Sequence, residues 1–289
     1  MLRVALVFLR LLSLFTALAL AVPLAALTTG AAISQEPEFD DVPFAIGQWN
    51  IGRRLDESQL RYCVDRRDPD WEVAGAIADA IAAGLLLEPV RYVVEGEIVA
   101  EDITKIYARM LEHCDMHMGF KLIPGAYANW VTLTRAYYDA EYVFVTADPA
   151  LQRLGDLPPG RPIGAAIGTT AHIRLVSYLK AMPADKRWPA FPMGTNDLAL
   201  ESLVNGTVDV ALVWAPELWA KQKDDPAFAK LRVIASDPLP ATNLGVGGLL
   251  FSNQTFLRNS IDEAIAALTA DGTIQGILDQ YSFPATAAP

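Results

Sequence analysis

Few residues of this chain have the means to do chemistry, and their spacing assembles no familiar reaction centre. Among 289 residues there are three His and two Cys. His113, Asp115 and His117 alternate, so on a strand they would share one face and could ligate a metal. A central strand covered on both sides offers them helix ends as partners instead, and no metal is expected. Asp65, Asp68, Asp70 and Glu72 form an acidic run without the spacing or central Gly of a calcium loop. The expectation there is a solvated loop, with Asp70 capping the helix that follows. No G-x-S-x-G, C-x-x-C or phosphate-loop pattern occurs, and Gly245-Val246-Gly247-Gly248 lacks the dinucleotide spacing. Nothing pairs a nucleophile with a base. The chain reads as a binder, with no catalytic residue and no cofactor expected.

The elements that position these residues can be read from composition and pattern. A chain that is 52% hydrophobic and 20% charged can bury a large core, which excludes disorder. The net charge is −11. Beyond residue 34, 21 basic groups face 34 acidic ones, a net of −13, and a surface that acidic argues against nucleic-acid binding. Residues 1–34 read as an export signal: Arg3 and Arg10, the apolar stretch Leu11 to Leu27, then small residues with Ala32 and Ser34 at the −3 and −1 sites. An uncleaved anchor is the alternative. An even Cys count in an exported chain suggests one disulfide, Cys63 to Cys114. Two separate buried thiols are the other reading.

Strands and helices alternate. Residues 35–58 form a polar N-terminal arm. Leu60–Val64 reads as a strand, Val73, Ile77, Ile81 and Leu85 as one helical stripe, and Pro89–Val94 as a second strand. Ile103, Ile106, Tyr107, Met110 and Leu111 mark a second helix, and Cys114–Met118 a third strand. Such a βαβαβ series predicts a parallel sheet; in the order 2-1-3 its first and third strands are neighbours, so Cys63 and Cys114 could meet. A strand at Tyr142–Thr146 leads to a second series: strand Arg161–Ala165, helix Ala171–Lys180, strand Ala190–Met193, helix Leu198–Val204 capped by Asn196, and strand Val208–Val213. Return strands Arg232–Ala235 and Gly245–Phe251 and a helical tail complete the chain. The expectation is two α/β lobes, residues 154–234 inserted into 59–153 plus 235–289, with ligand bound between them at the carboxyl ends of strands.

Particular runs carry a resemblance. The tail Ala270-Asp271-Gly272-Thr273-Ile274 through Asp279-Gln280-Tyr281, with Gly206-Thr207-Val208-Asp209-Val210-Ala211-Leu212-Val213, resembles family 3 (type II) periplasmic solute-binding proteins. A narrower likeness is to the solute-binding-like proteins associated with quinoprotein (methanol-type) dehydrogenases. It rests on Leu60 to Asp65, on His113-Cys114-Asp115, on Thr132 to Tyr138 running into Tyr142–Val145, and on Val208 to Pro216. Amino-acid-binding members of the broad family hold the ligand carboxylate with an Arg where Tyr127 or a near neighbour stands here. They hold the ammonium with an Asp where Trp214 stands. A buried zwitterion needs both countercharges, so an ordinary amino-acid receptor is disfavoured.

The cleft candidates are Asp65, Trp71, Lys121, Tyr127, Tyr137, Gly168, Thr169, Thr170, Asn196, Trp214 and Glu217. Gly168-Thr169-Thr170 could hold an anion at a helix start or simply cap that helix. Without the two charged clamps, a narrow or side-chain-filled cleft is expected, with Trp214 near its floor. The resemblance implies a periplasmic accessory of a PQQ-dependent alcohol dehydrogenase. A receptor handing a small non-amino-acid solute to an ABC permease is the alternative, and an enzyme on the same scaffold the remote one.

Overall fold

The structure is a computed structural model that describes residues 58–95 and 103–289. The export signal and, apart from Ser58, the N-terminal arm lie outside the described residues. All the described residues belong to one compact unit, Ala45–Pro289.

In chain order, β1 (Gln59–Asp65) leads through α1 (Trp71–Gly84) to β2 (Glu88–Val94), and α2 (Ile103–His113) leads to β3 (Met116–Lys121). The stripe expected on α1 is its core face: Val73, Ile77 and Ile81 are fully buried. β1 pairs in parallel with β2 and with β3, the expected order 2-1-3. Cys63 in β1 and Cys114, just ahead of β3, form a disulfide with a Cα–Cα distance of 5.6 Å. Then come the short β4 (Val131–Leu133) and the long β5 (Tyr138–Thr146).

The second series repeats the first: β6 (Ile163–Ala166), α3 (Thr170–Ala181), β7 (Ala190–Met193), α4 (Asn196–Val204), β8 (Val210–Trp214) and α5 (Ala215–Asp224). Here β6 pairs in parallel with β7 and β8. All of β6 and all of β8 are buried, as befits parallel strands covered on both faces. The chain closes with β9 (Arg232–Ile234), β10 (Thr242–Phe251), α6 (Thr255–Ala270), α7 (Thr273–Gln280) and β11 (Ala285–Ala287).

Two strands join the lobes. β5 pairs along its first half with β10, Tyr138 opposite Val246 through Tyr142 opposite Thr242. Along its second half it pairs with β8, Tyr142 opposite Trp214 through Val145 opposite Ala211. Tyr142 is therefore where β5 passes from one lobe's sheet to the other's. β10 also pairs with β3, so it lies between β3 and β5. The glycines of Gly-Val-Gly-Gly serve this packing: a Cβ on Gly247 would lie 2.9 Å from Thr134 Oγ1, and one on Gly245 2.9 Å from the Ala136 Cβ.

Several sequence expectations change. The third strand begins at Met116, because α2 runs on to His113 and the Cys114 N–H still bonds back to the Met110 carbonyl at 3.2 Å. His113 is thus a helical residue stacked on Tyr92 at 4.2 Å, and it shares no strand face with His117. Among the described residues no group of three or more His, Cys, Asp or Glu side chains could hold a metal. The cap of α4 is Thr195, whose Oγ1 accepts from the Leu198 N–H at 3.1 Å, while Asn196 is the first helical residue. Both crossing strands start three or four residues earlier than expected, at Tyr138 and Thr242.

Candidate functional site

The carboxyl ends of β1, β3 and β8 converge between the lobes, where an open α/β sheet offers its ligand crevice. A cleft of about 770 Å³ lies there. One wall is the segment from Arg66 to Glu72 at the end of β1; the other comes from the first turns of α4 and α5 and the outer face of α5. The cleft is therefore not filled by side chains.

The acidic run after β1 is not a solvated loop. Asp65 is 6% and Asp70 4% exposed. Asp65 caps its strand end with a two-point ion pair to Arg67, and Arg67's hydrogen bonds hold its carboxyl below the usual range against burial. Asp70 stands at the N-cap position of α1 but makes no side-chain capping bond. Its Oδ2 instead accepts from the buried Tyr138 hydroxyl at 2.7 Å. Beside it, the Tyr137 hydroxyl accepts the Gly119 N–H at 2.9 Å. Gly119 has φ +89°, and a Cβ there would lie 3.2 Å from Asp68 Oδ2 and 3.7 Å from Asp70 Oδ1. Both carboxyls thus rest on bare backbone that a side chain would occupy. Burial, with the charges of Asp70 and Asp65 adding to it, pushes Asp68 well above the usual carboxylate range. Burial raises Asp70 too, against the Tyr138 bond and Lys121.

Lys121 ends β3 and faces this pair. Its ammonium lies 4.7 Å from the Trp214 ring centroid and 5.8 Å from that of Tyr142, within cation–π range. Burial pulls Lys121 below its usual value, while Glu217, Asp68 and Asp70 oppose that. Trp214 is 2% exposed, so it forms part of the floor beneath Lys121. Glu217 sits in the first turn of α5, where the helix dipole favours an anion. Burial and the neighbouring carboxyl of Asp197 outweigh that dipole, and Glu217 is pushed up to about 7. Asp197 also pairs with Lys221 at 2.9 Å.

The two walls are bridged at their rim. Lys223 on α5 pairs with Glu72 on α1 at 2.9 Å, and Trp219 on α5 meets Phe283 edge to face at 5.2 Å.

Of the sequence candidates, Trp71 and Glu217 line the cleft, and Lys121 with Trp214 forms the charged and aromatic layer behind them. Tyr137 is fully buried and supports the Gly119 backbone. Thr169 caps α3, accepting from the His172 N–H at 3.1 Å, with Gly168 at φ +80° just ahead and Thr170 opening the helix. Asn196 adjoins Asp197, which does line the cleft. Asp65 is bound to Arg67, away from the lining. Tyr127 donates to the Lys121 carbonyl at 2.6 Å and borders a second hollow of about 520 Å³. Asp68 and Asp197 were not among the cleft candidates. Two acids one residue apart at a strand end, together with the Tyr-Tyr pair, were the available signal.

No protein-family model matches the sequence, and no curated protein does. Solved structures do. Substrate-binding domain 2 of Lactococcus lactis GlnP in an open conformation is 18% identical at a TM-score of 0.57, covering 78% of this chain and 96% of that one. An ancestral arginine-binding protein bound to arginine is 18% identical at 0.51, covering 78% and 98%. A histidine kinase sensor domain with similarity to periplasmic binding proteins is 15% identical at 0.54, covering 81% and 100%. At these identities the likeness is one of fold, the two-lobe periplasmic-binding-protein fold.

Proposed function

We infer that the protein is an exported solute-binding protein of the periplasm, whose cleft takes a small solute that is not a free amino acid. The observation that carries this is the cleft of about 770 Å³ between lobes joined by two crossing strands. That volume suits a small molecule, and two lobes on a strand hinge can close on a ligand that both contact. We assign lobe 1 to residues 59–153 plus 235–289 and lobe 2 to 154–234. Amino acids are disfavoured because Tyr127 stands outside the cleft lining and Trp214 lies beneath Lys121. The loaded protein would serve an ABC permease. A second reading, accessory to a PQQ-dependent (methanol-type) dehydrogenase, draws support from the Cys63–Cys114 disulfide, which joins two runs of the narrower sequence resemblance. In both readings the protein binds and presents rather than catalyses.

Small-angle scattering and calorimetry with a panel of solutes test the first reading, and co-purification with a periplasmic dehydrogenase tests the second. Compaction on adding a solute supports the receptor. Stable recovery of a dehydrogenase, with no solute bound, replaces it with the accessory. A micromolar dissociation constant for any common amino acid overturns the exclusion of amino acids.

A further inference from the structure

Resting on the reading that the cleft takes a solute, we propose that this solute is an organic cation, an alkylammonium compound that carries no carboxylate. The lining holds seven acidic side chains against four basic ones. All four basic groups are engaged within the protein: Arg66 with Glu95, Arg67 with Asp65, Lys221 with Asp197 and Lys223 with Glu72. Among the described residues, no Lys, Arg or His lies within 4.0 Å of Asp68, Glu201, Glu217, Asp224 or Asp225 to form such a pair. By formal count the lining is therefore acidic. Glu217 and Asp197 are neighbouring carboxyls of the lining, and Asp197 Oδ1 is buried without a hydrogen-bond partner, so an entering cation would meet both.

The protein displays the recognition it would offer. Lys121 is itself an alkylammonium, seated 4.7 Å over Trp214 and facing Asp68, Asp70 and Glu217. Trp71, Trp219 and Phe228 continue the aromatic surface along the cleft, where a ligand's hydrocarbon stem and cationic head would both be favoured. An anionic ligand would meet the reverse: the lining cations are paired, and Thr169 at the start of α3 spends its hydroxyl on capping. A zwitterion would leave its carboxylate unmatched among acids.

The experiment is titration calorimetry on the full-length protein with 1,4-diaminobutane and butylammonium, set against succinate, lysine and a neutral polyol. We expect the diamine to bind, and to bind at least tenfold more weakly when salt rises from about 50 to about 500 mM. Glu217→Gln and Asp68→Asn, each checked for a native melting curve, should also weaken it at least tenfold, and Glu263→Gln on the exposed face of α6 should not. Near pH 7 the heat should vary with the buffer's ionisation enthalpy, because a cation bound beside Glu217, among Asp197, Lys121 and Lys221, expels the proton that Glu217 holds in that range. Binding of succinate or the polyol in preference to the diamine overturns the cation and leaves the solute-binding reading standing. Diamine binding that ignores both acidic variants overturns the assigned wall. Silence toward the entire panel overturns both readings together.

Discussion

Replacing Glu217 by Gln should stabilise the protein at alkaline pH and leave it unchanged in acid. In the folded state Glu217 titrates at about 7 rather than its usual 4.5. Between those values the folded protein holds a proton that the unfolded chain has released, so stability falls as pH rises through that window and the whole penalty is present above it. At 1.36 kcal/mol per pH unit, the displacement corresponds to about 3 kcal/mol. Glu217 keeps partial contact with solvent, which trims this to about 2 kcal/mol by pH 8. For a domain of this size that is about 4–8 °C in melting temperature. Gln preserves the side chain's size but cannot ionise. The assay is urea or thermal unfolding of both proteins from pH 5 to pH 8. Removing the Glu217 charge also eases ionisation of Asp68, which that charge helps to raise, and this acts in the same direction as the main effect. Parallel stability curves, or a variant less stable than the wild type at pH 8, would refute the reasoning.

Three further outcomes are expected from the geometry. Tyr138→Phe removes the 2.7 Å donor to the buried Asp70 and should cost about 1.5–3 kcal/mol in urea unfolding; a variant within error of wild type would show that Asp70 finds another donor. Gly119→Ala places a methyl 3.2 Å from Asp68 Oδ2 at φ +89° and should cost about 1–3 kcal/mol, a figure that an unchanged denaturation midpoint contradicts. Reducing Cys63–Cys114, 51 residues apart, should lower stability by about 4 kcal/mol in the chain-entropy model. Non-reducing mass spectrometry that finds two free thiols would remove that bond from the account.

The order 2-1-3 of the first series, and the alternating elements of the second, were legible because buried parallel strands and helical stripes are written locally, as in Val210–Trp214 and Val73-Ile77-Ile81. The early halves of β5 and β10 were not: Asp139, Glu141 and Asn243 break the apolar run that marks a buried strand. Asp70 read as a cap since capping is decided within four residues, whereas the hydroxyl that claims it belongs to Tyr138, 68 residues on. Acidic runs default to solvent for the same reason. What buries Asp68 and Asp70 is a bare Gly119 backbone and the lysine and tyrosines of β3 and β5, and nothing near residue 70 announces them. At α4 two adjacent residues could cap, Thr195 and Asn196, and only the backbone geometry chose between them.

The position of β10 has a consequence for biogenesis. Residues Thr242–Phe251 fill the gap between β3, which ends at Lys121, and β5, which ends at Thr146. A chain emerging from its N-terminus therefore carries an unfinished first lobe, with the edges of β3 and β5 unpaired, through the whole synthesis of the second. Open strand edges template aggregation, and pairings so distant in sequence form slowly. The second lobe's β6, β7 and β8 can assemble as soon as they are made, ahead of the lobe that begins earlier. The last stretch to emerge is thus the one that seals the first, and truncation before Phe251 would leave a chain that exposes those edges permanently.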